Sequence, residues 1–172
     1  MSESKIRPAT LRDARGVAQV HAAALLSAAK GLNSDEPEAS LPLDKRVAYW
    51  REAIEYAEPQ VLVATVDGDL VGFVGFDRSR DPRTPPTQGE IWALHVLERH
   101  WGQGHALALW DAAREGLIEE GCSSVSVWVP LRNERALRFF ELAGFKRELN
   151  TARTTPVGTA RIEEIRLRRA LS

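Results

Sequence analysis

Six residues, Trp101-Gly102-Gln103-Gly104-His105-Ala106, stand between a strand-like run and a helix-like run. Two glycines let the backbone turn tightly with several N–H groups pointing outward, and a helix start adds partial positive charge, so the turn suits a phosphate or pyrophosphate. The same Gly-x-Gly pattern also serves as a plain strand-to-helix connection. Glu90 opens the preceding run, Glu90-Ile91-Trp92-Ala93-Leu94-His95-Val96. A group that must lose a proton before it can react needs a positioned base to take that proton. A carboxylate at a strand start can be that base; its other reading is a solvated strand end.

Other chemistries are set aside by residue type. A dinucleotide site needs Gly or Ala at 107 and an acidic residue after the next strand, where the chain has Leu107 and Pro130-Leu131-Arg132. The Gly-Lys-Ser/Thr phosphate loop of nucleotide hydrolases is absent. His95, His100 and His105 are five residues apart, a spacing that no common metal motif uses, so no metal is expected. The single cysteine, Cys122, has no disulfide partner within the chain and reads as a small buried residue in a reducing, cytoplasmic setting. With 23 Lys plus Arg against 24 Asp plus Glu, the surplus of positive charge that nucleic acid needs is missing. Residues 1–15 carry no apolar leader and the apolar stretch Ala22 to Ala29 is too short to span a bilayer, so no membrane association is expected.

The elements that position these residues follow from periodicity. Lys5 to Ala9 suits a short strand, and Thr10 with Asp13 reads as a variant capping box opening a helix with Val17, Val20, His21, Ala24, Leu25 and Ala28 on one face, ended by Gly31. Gly31 to Leu43 is a loop by composition, and Val47, Trp50 and Ile54 share the face of a second helix. Asp67-Gly68 between the apolar runs 61–66 and 70–76 signals a hairpin. Arg78 to Gly89 is a proline-rich loop, Glu90 to Leu97 a strand, and Gly104 to Glu120 a helix with Ala106, Leu109, Trp110, Ala113 and Leu117 on its stripe. Val125, Val127 and Val129 alternate as in a strand, Asn133 to Ala143 suits a helix ended by Gly144, and 145–151 and 160–167 suit two more strands. The result is one mixed α/β domain over residues 1–172.

The run Glu90 to Val96, the glycine turn, and Asn133-x-x-Ala136-x-x-Phe139-Phe140-Glu141-x-x-Gly144-Phe145 together resemble the successive motifs of the GNAT superfamily of acyl-CoA-dependent N-acyltransferases. The resemblance implies a central mixed sheet of about six or seven strands flanked by about four helices. Strand 4 of that sheet carries a bulge and splays from strand 5, opening a slot for the pantetheine of acetyl-CoA. It further implies that backbone groups of Leu94 and Val96 pair with pantetheine, and that the Val96 N–H polarises the thioester carbonyl. The amides of Trp101, Gly102, Gln103, Gly104, His105 and Ala106 would hold the pyrophosphate, and Glu90 would be the general base. Asn133 has two readings, a side-chain contact to CoA or a helix N-cap. Trp101 stands where the family usually has Arg or Gln, and Phe140 where members often carry a Tyr that protonates the leaving thiolate.

The expected activity is therefore acetyl transfer from acetyl-CoA to a small-molecule or peptide amine by direct attack. The alternative is an acyl-CoA-binding sensor or interaction module without turnover, which Phe140 keeps open. Trp92 is the expected substrate-side residue, because alternation places it on the face of Glu90, where its ring can hold a cation. Trp128 has two readings, a ring near the splayed strands that floors the acceptor pocket or, more commonly for a strand Trp, core packing. Trp50 and Trp110 are expected in the core, as is His21, and Tyr49 and Tyr56 are expected as packing residues of the second helix, their other reading being a phenol in place of the one missing at 140. Asp35, Glu36, Glu38 and Asp81 lie in the two loops expected to wall the acceptor and are of the right sign to attract an amine. Members of that family often form homodimers, so a second copy of the chain is an expected partner.

Overall fold

The computed structural model describes residues 4–30, 42–157 and 160–171. In chain order the elements are β1 (Lys5–Pro8), a 3-10 turn (Leu11–Asp13), α1 (Ala14–Lys30), α2 (Leu43–Tyr56), β2 (Gln60–Val66), β3 (Asp69–Arg78) and β4 (Gln88–Val96). A second 3-10 turn (Glu98–His100) leads to α3 (His105–Glu119), β5 (Ser124–Pro130), α4 (Glu134–Leu142), β6 (Lys146–Val157) and β7 (Ala160–Ala170). The first helix begins later than expected, because its opening turn is wound as 3-10. There the Asp13 carboxylate accepts the Thr10 backbone N–H at 2.7 Å and pairs with Arg7 at 2.7 Å, tying β1 to the helix start. The expected stop at Gly31, and nearly all of the expected 31–43 loop, lie outside the described residues.

The seven strands form one sheet in the order β1-β2-β3-β4-β5-β7-β6, antiparallel throughout except for β4 against β5. Asp67 and Gly68 both take positive φ, 51° and 86°, making the tight turn expected between β2 and β3. Helices α1 and α2 cover one face, burying Val17, Ala18, Val20, Trp50 and Ala53 against Val61, Val63 and Phe73. On the other face, α3 and α4 bury Leu109, Trp110, Ala113, Leu117, Leu137 and Phe140 against Val125, Val127, Phe145 and Leu167. The three- and four-residue spacings within α3 put its buried residues on one stripe, and each large side chain removed from water there contributes about 1.5–3 kcal/mol.

Two irregularities in β4 open a gap between β4 and β5. Gly75 pairs with Ala93 and Phe76 with Ile91, so Trp92 is an extra residue, a bulge that bends the strand. The parallel pairing with β5 runs only from Gln88↔Ser124 to Ile91↔Val127. Beyond Ile91 the two strands part, and Trp92 and Trp128 are the first residues on either side of the opening. Across the other edge, Gly72 faces Val96 so closely that a Cβ there would come within 2.8 Å of the His95 carbonyl oxygen. Glycine at 72 is what allows β3 to hold β4 in this place.

Candidate active site

The backbone of β4 past the bulge has one occupied edge and one open edge. Leu97 N–H donates to the Val71 carbonyl at 2.9 Å. Hydrogen-bonded pairs recur every second residue in an antiparallel ladder, so His95 and Ala93 also bond toward β3, while Leu94 and Val96 turn their N–H and C=O groups away from it. They face the side where β5 has departed. The Val96 carbonyl there accepts the Trp101 indole N–H at 2.7 Å, and the Arg135 guanidinium of α4 lies 3.5 Å above the Trp101 ring. Burial between these groups pushes the Arg135 guanidinium pKa down. Sequence reasoning missed Arg135; its position in the first turn of the helix capped by Asn133 was the available signal.

The glycine turn lies at the end of the same opening. Gly102 and Gly104 take φ of 75° and 87°, and a Cβ at either would meet nothing within 4 Å, so glycine is required there by backbone conformation and not by crowding. His105 starts α3 with its side chain 2% exposed; its Nε2 lies 3.2 Å from the Gln103 side-chain oxygen and its Nδ1 has no partner. Burial, and then the His100 imidazole beside it, push the His105 pKa down. An open, positive-φ turn before an uncapped helix start, next to an unpaired strand edge, fits an extended ligand that ends in a pyrophosphate. Asn133 caps α4, its side-chain oxygen accepting the Ala136 N–H at 3.1 Å, which is the second of its two readings.

At the opposite end of the fork sits Glu90. It is 1% exposed rather than solvated, and its carboxylate accepts the Arg80 backbone N–H at 2.9 Å and Arg80 Nη2 at 2.6 Å. The Arg80 guanidinium lies 4.0 Å from the centre of the Trp92 ring, so one arginine joins Glu90 and Trp92 even though the bulge interrupts the alternation expected to align them. Trp128 is half-buried in a polar cluster and not in the core. Its indole N–H donates to Asp81 at 3.0 Å, the Arg153 guanidinium lies 3.7 Å from the ring, and Arg166 pairs with Asp81 at 3.1 Å. Asp81 is thus committed to Trp128 and Arg166, which corrects the expectation that it is free to attract an amine. Arg80 was legible only as a charge opposite to Glu90 across a hairpin whose arms pair Asp77↔Glu90. Asp35, Glu36 and Glu38 lie outside the described residues.

The remaining expected residues are placed as follows. Trp50 and Trp110 are buried, and so is Cys122, whose thiol burial pushes up. Tyr49 and Tyr56 are 48% and 64% exposed, contrary to the expectation that they pack α2. Phe140 is 5% exposed and packs edge-on against Phe139 and Phe145. His21 and His95 stack at 5.6 Å, with Trp50 N–H donating to His21 Nδ1 at 3.2 Å. Burial lowers their pKa values to about 3 and about 4; for His21 the neighbouring His95 imidazole and the Arg46 guanidinium add to it. Among the described residues no group of three His, Cys, Asp or Glu is placed to hold a metal, and no helix is long and apolar enough to cross a membrane.

Comparison with known proteins agrees with this geometry. The mycothiol acetyltransferase of Sanguibacter keddieii is 36% identical over 115 residues, 63% of this chain; the chain spans only 36% of that protein's length. An uncharacterized N-acetyltransferase of Archaeoglobus fulgidus is 31% identical over 58% of this chain and 68% of its own. The fold is shared with yncA of Salmonella typhimurium, a candidate acetyltransferase solved with its cofactor acetyl-CoA (TM-score 0.75, 18% identity, covering 99% of this chain and 95% of that one). It is also shared with an N-acetyltransferase of Staphylococcus aureus Mu50 (TM-score 0.77, 17% identity, covering 99% and 100%). The Acetyltransferase (GNAT) family matches residues 25–145, and with the seven-stranded sheet forked between β4 and β5 the chain belongs to that family of acetyltransferases.

Proposed function

We propose that the chain transfers the acetyl group of acetyl-CoA to a primary amine by direct attack. The observation that carries this is the β4 edge that β5 leaves beyond Ile91↔Val127, where Leu94 turns its N–H and C=O and Val96 its N–H into the gap, the Val96 carbonyl being held by the Trp101 indole. Acetyl-CoA, when bound, supplies an activated acyl carbon and a sulfur leaving group. Leu94 and Val96 pair with its pantetheine as an added strand would, and the Val96 N–H polarises the acyl oxygen. The amides of residues 101–106 hold the pyrophosphate at the start of α3, beside Asn133.

Glu90 takes a proton from the acceptor ammonium. The amine nitrogen bonds to the acyl carbon as the carbon–sulfur bond breaks, and its second proton passes through solvent to the departing sulfur. No phenol stands at 140 to deliver that proton, and a thiol with a pKa of about 8.5 leaves readily as thiolate. Two observations support the second reading, acyl-CoA binding without turnover. Arg80 occupies the Glu90 carboxylate, and Phe140 lies in the core. Calorimetric titration with acetyl-CoA, with NADH as control, tests the binding common to both readings. Binding of acetyl-CoA alone is expected; binding of NADH alone would overturn them.

A further inference from the structure

We propose that the Glu90 carboxylate and the ring face of Trp92 form the cation subsite of the acceptor, and that Arg80 is a positioning residue whose guanidinium holds this subsite until an ammonium group replaces it. The proposal deepens the function proposed above and rests on it in taking the acceptor as an amine. A cation with an aromatic face beneath it and a carboxylate beside it is held by ring quadrupole and charge together. The Arg80 guanidinium has that environment, 4.0 Å from the Trp92 centroid with Nη2 2.6 Å from Glu90 Oε2. Trp92 is also the bulge residue at the mouth of the fork, so a cation held there stands where β4 and β5 part.

The neighbouring contacts identify which group moves. Arg80 and Asp81 straddle the fork, one reaching Trp92 on β4, the other Trp128 on β5. Asp81 has a side chain only 10% exposed and is bound by Trp128 and Arg166, so it pins the loop. The Arg80 side chain is 49% exposed and has Glu90 as its ion-pair partner. Glu90 Oε1 also accepts the Arg80 backbone N–H at 2.9 Å, which keeps the carboxylate oriented when the guanidinium swings away and vacates Oε2. Exchange of one cation for another never leaves this buried carboxylate uncompensated, a state that is strongly destabilising. Guanidinium does not give up a proton in proteins, whereas an alkylammonium does so to a base, so Arg80 holds the place without reacting.

Methylguanidinium chloride is the probe. By calorimetry it should bind Arg80→Ala about tenfold or more tighter than wild type, and this binding should vanish in Arg80→Ala/Glu90→Gln. With a panel of primary amines, Arg80→Ala should lower KM for the acceptor without lowering kcat. Arg80→Gln, which keeps a hydrogen-bond donor for the Glu90 carboxylate and lacks the charge, gives the same titration result if the alanine variant does not fold. Equal affinity in wild type and a folded variant, no binding by either, or a fall in kcat at unchanged KM would overturn the proposal and leave Arg80 as a tether for Glu90. Retained thiol release in Glu90→Gln would instead refute Glu90 as base, while the methylguanidinium titration still decides the subsite.

Discussion

His95 offers a quantitative check on the packing beneath the fork. It lies on β4 between the two slot-facing residues, Leu94 and Val96, with its ring stacked on His21 and tilted against Phe73 at 5.7 Å. Burial lowers its pKa from 6.5 to about 4. The folded state therefore keeps the imidazole neutral at a pH where the unfolded chain takes up a proton. The resulting stability is fully present above pH 6.5 and is lost as the pH falls toward 4. At pH 5 the unfolded imidazole is almost wholly charged and the folded one about one-tenth charged, so about 2 kcal/mol disappears between pH 7 and pH 5. His21 is shifted in the same direction, so the two must be read separately. His95→Gln keeps a polar side chain and removes the titration. Urea denaturation followed by tryptophan fluorescence at pH 7 and pH 5 should show wild type losing about 2 kcal/mol more than the variant. Equal losses would refute the claim that His95 stays a neutral imidazole in the folded protein.

Two further perturbations probe the slot itself. Trp101→Phe removes the indole donor from the Val96 carbonyl. If that carbonyl is needed for pantetheine, calorimetry should show acetyl-CoA affinity rising about fivefold, the equivalent of one modest hydrogen bond no longer broken on binding; unchanged or weaker affinity would show that the indole does not compete with the cofactor for the Val96 carbonyl. Gly72→Ala places a methyl group against the His95 carbonyl oxygen and forces β4 outward. Urea midpoints should fall by the equivalent of about 1–3 kcal/mol, with weaker acetyl-CoA binding; an unchanged midpoint would show that the close approach is not needed.

Elements set by local pattern were legible in the sequence. The alternation in 125–129, the stripe on α3 and the Asp67-Gly68 turn each reflect a short-range preference that the tertiary structure reinforces. The order of strands in the sheet was available only through motif resemblance, because nothing in β4 or β5 alone states that they run parallel and then part. Side-chain partnerships across the fork were not legible, since they join residues brought together by the sheet: Asp81 with Arg166, Arg135 with Trp101, Arg153 with Trp128. Of the two readings of Trp128, the core one fails for the same reason. A strand tryptophan ordinarily packs in a core, and only the departure of β4 at Ile91 leaves this one beside polar loops. Tyr49 and Tyr56 fall off the buried face of α2, which Trp50 and Ala53 define.

The most direct test of the catalytic account is amine-dependent thiol release from acetyl-CoA by wild type and by Glu90→Gln, with cofactor affinity measured in parallel. The variant should bind acetyl-CoA as wild type does and release thiol about 100-fold more slowly or worse with any amine that wild type accepts. Equal rates in the two proteins would contradict the role of Glu90 as base, and binding without release in wild type across a broad amine panel would favour the non-catalytic reading.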